Sequence, residues 1–216
     1  MFRLSNWSNP SVDIVPLFET ISDLKVAAKV MESVYLNRTY RNHLKNRGDK
    51  QTIMLGFSDG TKDGGYLMAN WSILRAKESL TTISRKYGIK VLFFDGRGGP
   101  PARGGGNTHQ FYASMGEFVE SDQIQLTVQG QTISSNFGTV DSCKYNLEQL
   151  LSAGIQNRVL NYDVNHNNKK DRIILDNLAK ISFKAYSDFK NHPKFVPYLE
   201  HMSTIKYYSK TNIGSR

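Results

Sequence analysis

The chain has 216 residues, enough to bury a real core, so size does not exclude an enzyme. Its formal net charge of +9 is compatible with a polyanion, a small anionic substrate or solubility alone, so charge by itself identifies no partner. The single cysteine, Cys143, excludes an intramolecular disulfide framework and fits a reducing compartment. The opening MFRLSNWSNPSVD has no apolar signal core, and no stretch reaches the roughly 18 apolar residues of a membrane span. The expectation is a cytoplasmic protein without a membrane partner.

In chain order, VDIVPLF (12–18) predicts a first strand. Leu24, Ala27, Ala28, Met31, Val34 and Tyr35 recur at helical spacing and predict a helix over about 23–44. TIMLGF (52–57) predicts a second strand. A helix over 66–86 follows, with Leu67, Trp71, Leu74 and Ile83 near one face and Gly88 as its stop. IKVLFF (89–94) is the third strand and leads into a glycine-rich loop, after which a helix begins near Thr108. IQLTVQGQTI (124–133) reads as a fourth strand, and helices are expected at about 141–154 and 169–190. This alternation predicts an α/β fold with parallel strands and crossover helices, and strand runs apolar on both faces predict a sheet covered on both sides. Three consecutive strands end at charged or polar residues: Glu19, then Ser58 and Asp59, then Asp95 and Arg97. Loaded carboxyl ends on successive strands favour a segment of a (β/α) barrel over a doubly wound sheet, in which the chemistry gathers at one switch point.

The loop "FFDGRGGPPARGGGNTH" (93–109) pairs bare backbone with Arg97 and Arg103. Glycines let main-chain N–H groups approach a ligand and guanidinium forks match phosphate or carboxylate oxygens, so the two arginines could grip a small dianion and a second anion beside it. A solvated flexible turn and an RGG-type RNA-binding segment are the competing readings. In "GFSDGTKDGG" (56–65), Asp59 and Lys62 leave a strand end together. With Glu19 at the preceding strand's end, Asp59 would complete a two-carboxylate site for Mg²⁺ or Mn²⁺. The bland alternative is a capped turn in which Asp59 or, better, Asp63 caps the next helix. His109 could be a general base, but a lone histidine after a loop is more often a packing or capping residue; the same holds for His43, His166, His192 and His201, which show no metal-ligand spacing.

Together, "GFSDGTKDGG", "FFDGRGGPPARGGGNTH", "LTVQGQTISSNFG" and "NIGSR" resemble phosphoenolpyruvate carboxylase in order and separation, and "VPLFETISDL" is similar to the family's further metal-site segment. The resemblance runs from about Val12 to Arg216 and implies a helix-rich (β/α)₈ barrel. It implies addition of bicarbonate to phosphoenolpyruvate, giving oxaloacetate and phosphate, with no nucleic-acid partner. By the same resemblance Glu19 and Asp59 are metal ligands, Arg97 binds phosphate and Arg103 is the mobile-loop arginine of the carboxyphosphate step. Lys62 is an active-site lysine, and Arg216 is the arginine of the "GSR" segment near substrate. Homotetramers and inhibition by acidic metabolites are further family traits.

The chain departs from the family at Asp95, where a histidine is usual, and in the "SDGTKDGG" and "PPA" segments. Family chains are several times longer, and their amino-terminal catalytic histidine has no match here. The expectation is a fragment of the catalytic barrel with an exposed open face, inactive alone. A basic RNA-binding module and a catalytically dead homologue are the alternative functions.

Overall fold

The computed structural model describes residues 10–97, 108–116, 118–128, 130–159, 169–208 and 210. Strand β1 is only Leu17–Phe18. The apolar run that precedes it contributes no ladder, because Pro16 has no N–H to donate; its carbonyl accepts from Met54 at 2.8 Å just before pairing begins.

The helical pattern that follows divides in two. Helix α1, Ile21–Leu36, opens on a capping box in which Thr20 and Asp23 satisfy each other's backbone N–H groups. It ends at Asn37, whose extended backbone and side-chain oxygen, accepting from Tyr40 N, start α2, Arg38–Asn46. Asparagine competes with the helix for its own backbone, which is why one expected helix is two.

Strand β2 is Lys50–Gly56 and passes directly into a short helix, α3, Phe57–Gly64, where a bare turn was expected. Glycine is a poor helix former, so propensity argues against α3; packing decides otherwise. A Cβ on Gly64 would stand 2.5 Å from Ile21 Cγ1, and one on Gly60 3.1 Å from the Glu19 carbonyl oxygen. The glycines let α3 lie directly against the β1–α1 junction.

Helix α4, Tyr66–Lys86, matches its expectation, and Gly88 (φ +65°) turns the chain into β3, Lys90–Gly96. Helix α5 is Thr108–Ala113. Strand β4 is only Ile124–Leu126, and Gly130, at φ +57°, is the N-cap of α6, Gln131–Phe137, where the strand was expected to continue. Helices α7, Val140–Val159, and α8, Lys169–Lys190, fall where periodicity put them, followed by α9, Phe195–Met202, and α10, Ile205–Tyr208.

The four strands form one parallel sheet in the order β1-β2-β3-β4, with Leu17 opposite Met54, Ile53 opposite Phe93, and Phe93 opposite Ile124. Side chains alternate strictly across it. Phe18, Ile53, Leu55, Val91 and Phe93 are buried with Leu24, Ala27, Met31 and Tyr35 of α1 and with Ile73, Ala76 and Leu80 of α4. Thr52, Met54, Leu92 and Phe94, on the opposite face, are only half-buried. The expected cover on both faces is therefore absent among the described residues. Right-handed crossovers between strands laid down in one direction put their helices on one side, and no reversal of order occurs here to place helices on the other.

The buried stripe of α4 also differs from the expected one. Leu67, Trp71, Leu74 and Ile83 lie on its flanks, while Ala69, Ile73, Ala76, Lys77 and Leu80 face inward. On one flank α8 is tied to α4 by a two-pronged ion pair from Arg172 to Glu78, at 2.5 and 2.8 Å, and by Trp71 Nε1–H donating to Asp176 at 2.7 Å. No helix among the described residues is long and apolar enough to cross a membrane.

Leu80 has no exposed surface and sits in the seam between α4 and the sheet. Leu80→Ala is expected to destabilise the protein by about 2–5 kcal/mol, read as a lower midpoint in urea at unchanged slope.

Candidate functional site

Because β1, β2 and β3 are parallel neighbours, their carboxyl ends lie side by side, and with them Glu19, the first turn of α3 carrying Asp59, and Arg97. Glu19 is half-buried, and its side chain fills the space a Cβ on Gly56 would take, 2.8 Å from Glu19 Cγ. Asp59 accepts from Lys62 Nζ at 2.8 Å, with both side chains about half exposed. Lys62 thus stands beside Asp59 as its present counter-ion, and surface pairs of this kind are weak enough to exchange partners.

Asp63 does not cap the next helix. Its carboxylate accepts from Ile21 N–H at 2.9 Å, across the junction with α1, whereas α4 starts from Gly65 (φ +78°) with no side-chain cap. The close approach of α3 brings Asp63 to a helix N-terminus, where its charge is favourable. Lys190 Nζ donates to the Asp63 carbonyl at 2.9 Å and Tyr186 Oη to the Lys62 carbonyl at 3.0 Å, so α8 braces α3 from outside.

Arg97 is 6% exposed. Its guanidinium carbon lies 4.2 Å from the centroid of Phe111 and 5.8 Å from that of Phe57. Burial lowers its pKa from the usual arginine value, with Tyr112, Tyr66 and Asp95 acting in the opposite direction. Arginine remains a cation under such a shift, and a partly desolvated cation attracts an anion more strongly than a solvated one. Arg103 and Arg216 lie outside the described residues.

Asp95 turns away from these strand ends into the core. Its partner is Lys77 of α4, Nζ to Oδ2 at 2.7 Å, and Tyr112 Oη donates to the same oxygen at 2.8 Å. Desolvation lowers the Lys77 pKa, opposed by the Asp95 charge and hydrogen bond. Burial pushes the Tyr112 hydroxyl well above its usual value, and the Asp95 charge pushes it further. Neither Lys77 nor Tyr112 was singled out from sequence. The available signal was a lysine in register with Ile73 and Leu80 on one helix face.

Of the described histidines, His43 is buried, His109 is half-buried in α5, His192 Nδ1 accepts from Lys194 N–H at 3.2 Å, and His201 Nδ1 contacts the Pro197 carbonyl oxygen at 2.9 Å. Among the described residues no group of three or more His, Cys, Asp and Glu side chains could hold a metal unaided.

The family model for phosphoenolpyruvate carboxylase matches residues 2–216. The chain belongs to the phosphoenolpyruvate carboxylase family. Among similar proteins, the phosphoenolpyruvate carboxylase of Corynebacterium efficiens is 35% identical over 215 residues, 98% of this chain. That of Corynebacterium diphtheriae is 34% identical over 205 residues, 95% of the chain, and that of Corynebacterium glutamicum is 33% identical over 215 residues, 98% of the chain. The match covers 23% of each of these relatives, so the chain spans about a quarter of their length.

Gly56 has φ −86°, which any residue adopts, so Gly56→Ala tests space and not backbone strain. The added methyl must displace Glu19, and a cost of about 1–3 kcal/mol is expected in urea unfolding.

Proposed function

We infer that this chain contributes to a phosphoenolpyruvate carboxylase active site, with a catalytic role for the strand-end residues. The observation that carries the inference is the convergence of Glu19, Asp59 and Arg97 at the ends of three adjacent parallel strands, in a chain of this family. The one-directional strand order and half-buried inner face support completion of the sheet into a (β/α)₈ barrel, with that face lining the interior. Residues elsewhere in a longer chain would then share the site, and residues 1–216 alone would not turn over. A cytoplasmic homotetramer inhibited by acidic metabolites is the family's form that this reading adopts.

The donors at the strand ends suit a hard divalent ion. Two carboxylates with water and substrate oxygens are a usual Mg²⁺ set, and Gly56 leaves the room that Glu19 needs. Glu19 and Asp59 would hold Mg²⁺ or Mn²⁺, which when bound would neutralise charge on the phosphate and on the enolate oxygen. Lys62 would be released from Asp59 to face the anionic substrate. Arg97 binds the phosphate, its fork fixed from behind by Phe111. Bicarbonate oxygen attacks phosphorus as the bond from phosphorus to the enol oxygen breaks, giving carboxyphosphate and the enolate of pyruvate. Arg103 stabilises the charge on carboxyphosphate; its bond from the carboxyl carbon to the phosphate oxygen then breaks, the carbon bonds to the enolate's methylene carbon to give oxaloacetate, and phosphate leaves with the proton that bicarbonate brought. Arg216 completes the substrate contacts.

Arg97 also weighs against an RNA-binding loop. A guanidinium buried on an aromatic ring is not offered to a passing strand, as an exposed RGG arginine would be.

Binding titrations on the full coding sequence that carries this chain test the reading. Asp59→Asn is expected to weaken Mn²⁺ binding by at least the roughly 10- to 100-fold that loss of an outer-shell partner costs. Arg97→Lys and Arg103→Lys are expected to leave Mn²⁺ affinity unchanged and to impair phosphoenolpyruvate binding and turnover respectively, since an ammonium does not replace a bidentate fork. Wild-type affinities in Asp59→Asn and Arg97→Lys would overturn the site assignment. Tight, steeply salt-dependent binding of single-stranded RNA, lost with both arginines, would favour the RNA reading.

A further inference from the structure

The Lys77–Asp95 pair is almost wholly shielded, with side chains 2% and 1% exposed, and its Asp95 lies two residues before Arg97. Asp95 and Arg97 stand on the amino-terminal flank of the arginine loop. Phe111 and Tyr112, on α5, stand on its carboxyl-terminal flank. Both flanks meet at one place: Tyr112 Oη donates to Asp95 Oδ2 at 2.8 Å, and Phe111 carries the Arg97 guanidinium on its face. Lys77 Nζ lies 5.1, 5.2 and 5.6 Å from the ring centroids of Phe93, Phe111 and Tyr112, so one ammonium touches β3 and α5 together.

We propose that Lys77, Asp95 and Tyr112 form a positioning clamp that holds the two flanks of the arginine loop at a set separation and thereby aims Arg97 at the substrate phosphate. The role in aiming Arg97 rests on the function proposed above. The clamp also accounts for an aspartate where the family usually has histidine. Compensated by Lys77, the Asp95 carboxylate places no net negative charge beside the anion site. The two residues must change together, because a lone buried ion costs far more than the pair. Asp95 Oδ1 has no hydrogen-bond partner among the described residues. A cavity of about 20 Å³, lined by Lys77, Asp95, Tyr112, Glu120 and Gly154 among others, has room for one water.

The test uses the full coding sequence, with Tyr112→Phe, Lys77→Met and the double variant Lys77→Met/Asp95→Leu. Lys77→Met alone is expected to lose thermal stability, because Asp95 is left without a counter-charge; the double variant is expected to regain it. Amide hydrogen exchange over 108–113 is the deciding readout. Tyr112→Phe and the double variant should exchange there roughly tenfold faster at matched global stability, the factor expected for losing one charge-assisted hydrogen bond. Exchange at the wild-type rate in both would overturn the clamp. The KM for phosphoenolpyruvate should rise by a similar factor in Tyr112→Phe with Mn²⁺ affinity unchanged, and an unchanged KM would overturn the role in aiming Arg97. A pair that only stabilises the fold would alter melting and move neither readout. A wild-type protein that makes no oxaloacetate would count against the proposed function, while the exchange rates would still decide the clamp.

Discussion

A lysine ammonium and an aspartate carboxylate, both removed from water, meet where α4, β3 and α5 come together. Burying two ions costs several kcal/mol each, and only tight pairing with further hydrogen bonds offsets it. Here Lys77 contributes the charge, Tyr112 a second bond to the carboxylate, and three aromatic rings surround the ammonium. Shifting α4 or β3 would leave a charge unpaired in the core, and shifting α5 would remove the carboxylate's second hydrogen bond. This fixes how β3 ends and where α5 begins, and so where Arg97 stands.

The other half of the site depends on close packing without side chains. Gly56, Gly60 and Gly64 let α3 lie on the β1–α1 junction, and that approach brings Asp63 onto the Ile21 amide. The result is a carboxylate, Glu19, held beside the first turn that carries Asp59. Outside α3, Lys190 and Tyr186 of α8 accommodate its carbonyls, so a helix more than a hundred residues away in sequence supports this edge of the site. One side of the site is thus set by a buried charge pair and the other by glycine contacts.

The parallel α/β architecture was legible in the sequence. Alternating strand and helix patterns gave the parallel order, and the polar residues after the apolar runs gave the positions of Glu19, Asp59 and Arg97 at neighbouring strand ends. What was missed has specific physical causes. The "GFSDGTKDGG" segment reads as a turn because glycine propensity hides a helix that tertiary contact enforces. The inward face of α4 was misread because Lys77, Thr81 and Ser84 are polar, while the flanking Leu67 and Trp71 look like core. Tyr35 explains part of this: its hydroxyl meets Ser84 Oγ at 2.9 Å, and burial pushes its pKa up to about 12. Asp95 was recognised as unusual, but its partner lies 18 positions away on another element, and no local pattern reveals such a pair.

The central claim is that these strand ends serve a metal-assisted carboxylation. The most direct measurement is oxaloacetate formation from phosphoenolpyruvate and bicarbonate by the full coding sequence, followed by coupled reduction, with and without Mg²⁺. The account predicts product that depends on the metal. Folded protein that binds neither Mn²⁺ nor phosphoenolpyruvate and forms no product would contradict it, and would make this chain a relative that has kept the fold of the site without its chemistry.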